Sequence, residues 1–168
     1  MSSQLRADKI LPVDGAPTGG GGGIVQMQMG VTTTQATTTS GNFDATNLSA
    51  SITPKFSTSK IFIMCSGGMN GTAGGGDSAE AIGYKIYRSV GGGSYAEVES
   101  SNDGQAEMYM GDGGNKYAPL SINYLDSPST TSAVTYKLYQ KRVGGTGTPS
   151  LNRDNTNQTQ MIAMEVSG

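Results

Sequence analysis

A chain of 168 residues with 26 glycines, a charged fraction of only 14% and a formal net charge of −2 is long enough for one buried core. It carries no basic patch of the kind that phosphate neutralisation requires, which argues against nucleic acid as a partner. With no histidine and one cysteine it lacks Ser-His and Cys-His catalysis, imidazole zinc ligands and any intrachain disulfide.

Residues 1–23 read as an extended arm. Ile10, Leu11, Pro12 and Val13 form a small apolar cluster, followed by Pro17 and the run Gly19–Gly23. Proline and glycine on both sides prevent a helix, and polyglycine gives reach without stiffness. A frayed terminus is the plain alternative. An apolar tetrad on a free tail is poorly tolerated in water, however, so these four residues are expected to anchor the domain to something else. The segment has no apolar h-region, and no stretch approaches membrane-spanning length. Synthesis in a cytosol and no membrane insertion are therefore expected.

Residues 24–168 read as strand after strand. Val25, Met27, Met29 and Val31 alternate with Gln26 and Gln28, and the threonine-rich stretch 32–40 reads as a loop or edge hairpin. Leu48, Ala50 and Ile52 alternate up to Pro54, and a Ser/Thr-rich link leads into the apolar run Lys60–Cys65. The glycine-dense stretch 67–76 reads as a loop. Ile82, Tyr84 and Ile86 then alternate with Lys85 and Tyr87, and Gly91–Gly93 turns the chain into a hairpin. Further strands are expected at 105–110, 118–125, 132–142 and 159–166. Eight or nine short strands with polar turns and no long helix predict an all-β, jelly-roll-like antiparallel sandwich.

Few residues offer chemistry. Cys65 sits in an apolar run and reads as an inert buried thiol. Glu97 and Glu99 would share a strand face, as two glycosidase carboxylates must flank a bond, yet two glutamates beside a turn are far more often a solvated face. Asp112, Asn115 and Asp103 could collect oxygens around calcium, although Asp, Gly and Asn are also ordinary turn residues, so no metal and no cofactor is assigned. Tyr87, Tyr95 and Tyr139 fall on the lysine-bearing phase of their strands and are candidates for exposed contact, since tyrosine suits interfaces with glycans or proteins. The methionines, Met27, Met29, Met161 and Met164 among them, fit an irregular core or an intersubunit seam.

Three segments carry a resemblance. Residues 43–68, FDATNLSASITPKFSTSKIFIMCSGG, resemble the pattern nLsvtITPss.tSKilImvs of small β-jelly-roll domains in bacteriophage virion proteins, notably tail fibres and appendages of cyanophages and other marine phages. The opening LRADKILPVDGAPTGGGGGIVQMQM and the closing NRDNTNQTQMIAMEVSG resemble the same domains. The resemblance implies a homotrimer around a three-fold axis on the virion surface, joined to other phage virion proteins through its N-terminal segment. It implies a tail-fibre or appendage protein whose end loops, here 67–78 and 111–117 with Asn70, Asp112 and Asn115, meet a host surface glycan or protein. The alternative is a capsid decoration (cement) protein on the major capsid protein, favoured by the lack of a shaft repeat. A glycan depolymerase using Glu97 and Glu99 is the remote third reading.

Overall fold

The structure, a computed structural model, describes residues 23–73, 81–111 and 114–167. The expected anchor Ile10–Val13, nearly all of the 1–23 arm, and Asp112 lie outside the described residues.

The described residues form strands and turns without a helix. In chain order the strands are β1 (Ile24–Thr32), β2 (Ala36–Thr37), β3 (Asp44–Ile52), β4 (Lys60–Ala73), β5 (Ala81–Val90), β6 (Ala96–Glu97), β7 (Ala106–Tyr109), β8 (Gly114–Asp126), β9 (Val134–Gly144), β10 (Thr148–Leu151) and β11 (Thr159–Val166). They make two antiparallel sheets. The terminal sheet runs β1-β11-β4-β8, with β10 continuing the β11 edge of β4 and β2 beyond it. The facing sheet runs β3-β9-β5, with β6 and β7 sharing the outer edge of β5. Strands that follow one another in sequence mostly lie in opposite sheets, and the last strand pairs with the first. That winding is a jelly roll, as the sequence predicts.

The core lies where the strand pattern puts it. Leu48, Ala50 and Ile52 of β3, Ile61, Ile63 and Cys65 of β4, and Ile82, Tyr84 and Ile86 of β5 are all buried. Leu120 and Ile122 of β8, Tyr136 and Leu138 of β9, and Met161 and Ala163 of β11 close it from the other strands. Each set has period two, so one face of each of these strands enters the core. Buried polar groups tie the sheets together. The Tyr84 hydroxyl donates to the Ser150 carbonyl at 2.8 Å. Asp126 accepts from Arg88 Nη1 at 2.7 Å on each oxygen and from the Tyr136 hydroxyl at 2.7 Å.

Three expectations need correction. The stretch 67–76 is not a loop through Ala73, because β4 continues to that residue, paired on both edges. Glycine occurs there because neighbours press on the strand: a Cβ on Gly67 would meet Thr159 Oγ1 at 2.1 Å, and one on Gly71 would meet Met110 Sδ at 1.9 Å. The expected loop 111–117 likewise gives way to β8 from Gly114 onward. Asn70, expected as an exposed contact, is buried in β4 beneath the turn that follows β10.

Candidate functional site

Among the described residues, the outer faces of the two sheets are the surfaces with chemical character. On the facing sheet, β5 and β9 each alternate tyrosine with lysine, and their register sets Lys85 opposite Tyr139 and Tyr87 opposite Lys137. The result is a packed ladder. Tyr87 and Tyr139 stack with ring centroids 4.1 Å apart, Tyr95 tilts against Tyr139 at 6.0 Å, and Phe43 against Tyr87 at 6.0 Å. Lys85 and Lys141 lie 5.0 Å from the Phe43 ring, and Lys137 lies 5.0 Å from Tyr95. The three tyrosines picked from sequence therefore come together, half-buried rather than fully exposed. Phe43 was not among them, and only the pairing of β3 with β9 shows that it belongs.

Most charges in the ladder are matched. Lys85 donates to Glu97 at 2.8 Å and to the Ser101 carbonyl, while Lys141 donates to Asp103 at 3.1 Å and to the Asn102 carbonyl. Burial raises the pKa of the Tyr87 hydroxyl, helped by Glu97 and Tyr139, and that of Tyr139, helped by Tyr95. Both hydroxyls stay protonated at neutral pH and can donate hydrogen bonds.

The carboxylates weighed for catalysis and for calcium have internal partners. Glu97 pairs with Lys85, and Glu99 accepts from the Ser101 amide at 3.0 Å and from the Ser101 hydroxyl. Asp103 pairs with Lys141. The described residues hold no cluster of His, Cys, Asp or Glu with the makings of a metal site. Burial pushes the Cys65 thiol up to about 12, so it is inert at neutral pH. Asn115 is exposed near the start of β8 and accepts from the Thr72 hydroxyl at 3.0 Å.

The terminal sheet has a different outer face. Register aligns Met27 with Met164 and Met29 with Ile162 across β1 and β11, Met164 with Phe62 and Ile162 with Met64 across β4, and Phe62 with Leu125 across β8. All of these point away from the core. Ile24, Met27, Met29, Val31, Met64 and Leu125 are more than a third exposed, a property the sequence could not distinguish from core packing. The orientation of β1 is fixed from inside. Gln26 turns inward and donates to the buried Glu165 at 2.6 Å, which sends its apolar neighbours outward. At the Ile24 end lies a hollow of about 430 Å³ walled by Ile24, Phe62, Leu125, Met164 and Val166, with Lys60 at its rim.

No family model and no curated protein matches the chain. Solved structures similar to it include that of the infectious bursal disease virus Gx strain, at 12% identity and TM-score 0.36, covering 99% of this chain and 44% of that one. The T13 particle of infectious bursal disease virus matches at 13% identity and TM-score 0.39, covering 86% and 36% respectively. A xylan-binding domain from CBM 22 matches at 12% identity and TM-score 0.30, covering 86% and 95%. The chain thus spans less than half of either viral chain. Likenesses this distant carry no argument, and the jelly-roll assignment rests on the strand order of this chain.

Proposed function

We propose that the chain is a non-enzymatic structural module of a phage virion surface. It is a homotrimer packed through the outer face of its terminal sheet and attached to the particle by residues 1–23, in a tail fibre or related appendage. The observation that supports this most is the unpartnered apolar face. From strand rise and spacing, four strands over about eight residues present roughly 500 Å². Three such faces meeting around one axis bury roughly 1,500 Å² in all, shared over three contacts, which exceeds the roughly 1,000 Å² that a specific assembly needs. Among the described residues Lys60 is the only charged side chain in register on that face, and it stands at the very start of β4, so copies can meet there with little like-charge burial. A second copy of the same chain is the occupant such a surface suits. The phage-domain resemblance of residues 43–68 supports both the trimer and the virion location.

With terminal sheets turned toward the three-fold axis, the tyrosine-lysine ladder faces outward, where host or particle contacts are made. Gly23, the first described residue, accepts a hydrogen bond from the Ser167 amide at 3.2 Å, and Ser167 borders the apolar hollow.

Light scattering on the purified protein tests the seam: a trimeric mass is expected, and the double variant Met27→Glu/Met64→Glu should sediment as a folded monomer. A wild-type monomer would overturn the assembly. Labelled protein imaged on virions tests location. Density at the tail supports the appendage, and density over capsid faces would replace it with the cement reading. Deleting residues 1–23 should leave a folded trimer that no longer joins particles.

A further inference from the structure

We propose that the polar hollow on the outer face of the terminal sheet, beneath the turn that follows β10, binds one edge of a neutral hexose unit. The hollow measures about 90 Å³ and is walled by Asn70, Asn115, Tyr117, Ser150, Arg153 and Asp154. Asn70 is 5% exposed and its Nδ2 has no hydrogen-bond acceptor. A buried donor left open is rare in a folded protein, because it gives up water and receives nothing in return. The donor itself is closed off from solvent, but Asn70 lines the hollow, so a turn of its side-chain amide toward that space would let a ligand oxygen satisfy it.

The surrounding groups define the ligand class. Arg153 Nε donates to Asp154 at 3.2 Å, so the only cation and the only anion in the wall match each other. A charged ligand gains no net attraction, whereas hydroxyl groups, which both donate and accept, suit amide, carboxylate and guanidinium together. Tyr117 is half exposed at the rim, with the Arg153 guanidinium 4.9 Å from its ring centroid. An aromatic ring beside a polar hollow suits the C–H face of a sugar. The volume admits a hydroxyl or hydroxymethyl edge, not a whole ring.

Location supports the same reading. Asn70 lies eight residues along β4 from Phe62, about 26 Å in an extended strand. The hollow therefore lies well beyond the apolar seam, toward the end of the module opposite Gly23. This inference rests on the proposed host-contact role and adds to the outward ladder a ligand site at the tip of the module, beyond the seam.

The test is side-chain amide NMR on the purified wild-type protein, titrated separately with methyl α-glucoside, methyl β-galactoside, methyl α-mannoside and sodium glucuronate. At least one neutral glycoside should shift the Asn70 amide signal saturably, glucuronate should not, and Tyr117→Ala should weaken that binding about tenfold. Asn70→Leu, confirmed as folded by its melting curve, should abolish it. An Asn70 signal unmoved by every neutral glycoside overturns the site. A response to glucuronate alone overturns the ligand class, and unchanged affinity in both variants moves the binding elsewhere. Sugar binding by a protein that never joins a particle would keep this site and remove the virion role; a particle-bound protein with a silent Asn70 would do the reverse.

Discussion

Glu165 shows how one buried charge can set the orientation of a strand. Its carboxylate accepts from Gln26 at 2.6 Å and from the backbone amides of Lys55 and Phe56 at 2.7 and 3.3 Å. Burial alone would raise its pKa, but these hydrogen bonds outweigh burial and hold it below the ordinary 4.5. A carboxyl that ionises more easily folded than unfolded stabilises the fold fully above that ordinary value. The stabilisation is lost as pH falls through the lower, folded-state value. The urea midpoint of the wild type should therefore fall as pH drops below the ordinary 4.5, and Glu165→Gln should flatten that limb while losing stability at pH 7. An equally steep acid limb in the variant would assign the effect to other carboxylates. Asp126 is the second such residue, joining Arg88 and Tyr136 near one end of the sandwich. Asp126→Ala strands a half-buried guanidinium and a buried hydroxyl, and should cost about 3 kcal/mol in urea unfolding. Tyr136→Phe removes only the hydroxyl and should cost about 1 kcal/mol.

At the scale of elements, strand existence was legible from alternation. Runs such as Leu48-Ser-Ala50-Ser-Ile52 and Tyr136-Lys-Leu138 have one residue in two facing the core, and the structure buries those residues. The glycine-rich continuation of β4 and the short β10 were not legible. Gly-Gly-Met-Asn-Gly in β4 and the Thr-Pro start of β10, next to Gly-Gly-Thr-Gly, have turn composition, and what holds these strand residues extended is pairing with strands distant in sequence. Gly30 makes the same point in β1. A Cβ there would lie 1.7 Å from the Ser49 carbonyl oxygen, so β1 crosses β3 at a distance only glycine permits. Gly30→Ala should lose on the order of 3 kcal/mol or unfold the domain. Gly41→Ala, whose Cβ would meet nothing within 4 Å, should leave the melting temperature nearly unchanged.

For the whole molecule, the pairing that closes the sandwich joins its first strand to its last, since β11 lies between β1 and β4. Contacts so distant in sequence must overcome chain entropy before they stabilise anything, so refolding from urea is expected in milliseconds to seconds rather than microseconds. Removing residues 159–168 takes away the partner of two strands and should leave a chain without the β circular-dichroism signal. A truncated chain that still melts cooperatively would show that β11 is dispensable.

Taken alone, the sequence determined an all-β sandwich, the core faces of most strands, the absence of histidine chemistry and the lysine-bearing phase on which Tyr87 and Tyr139 fall. Those features follow from period-two alternation and composition, which are local properties of the chain. Tertiary structure alone decided which face of β1 meets the core, why the glycines of β4 stay extended, and where Asn70 and Arg153 converge. Each of these depends on what lies across a strand pair, and identical local patterns pack inward or outward according to the neighbour that register brings.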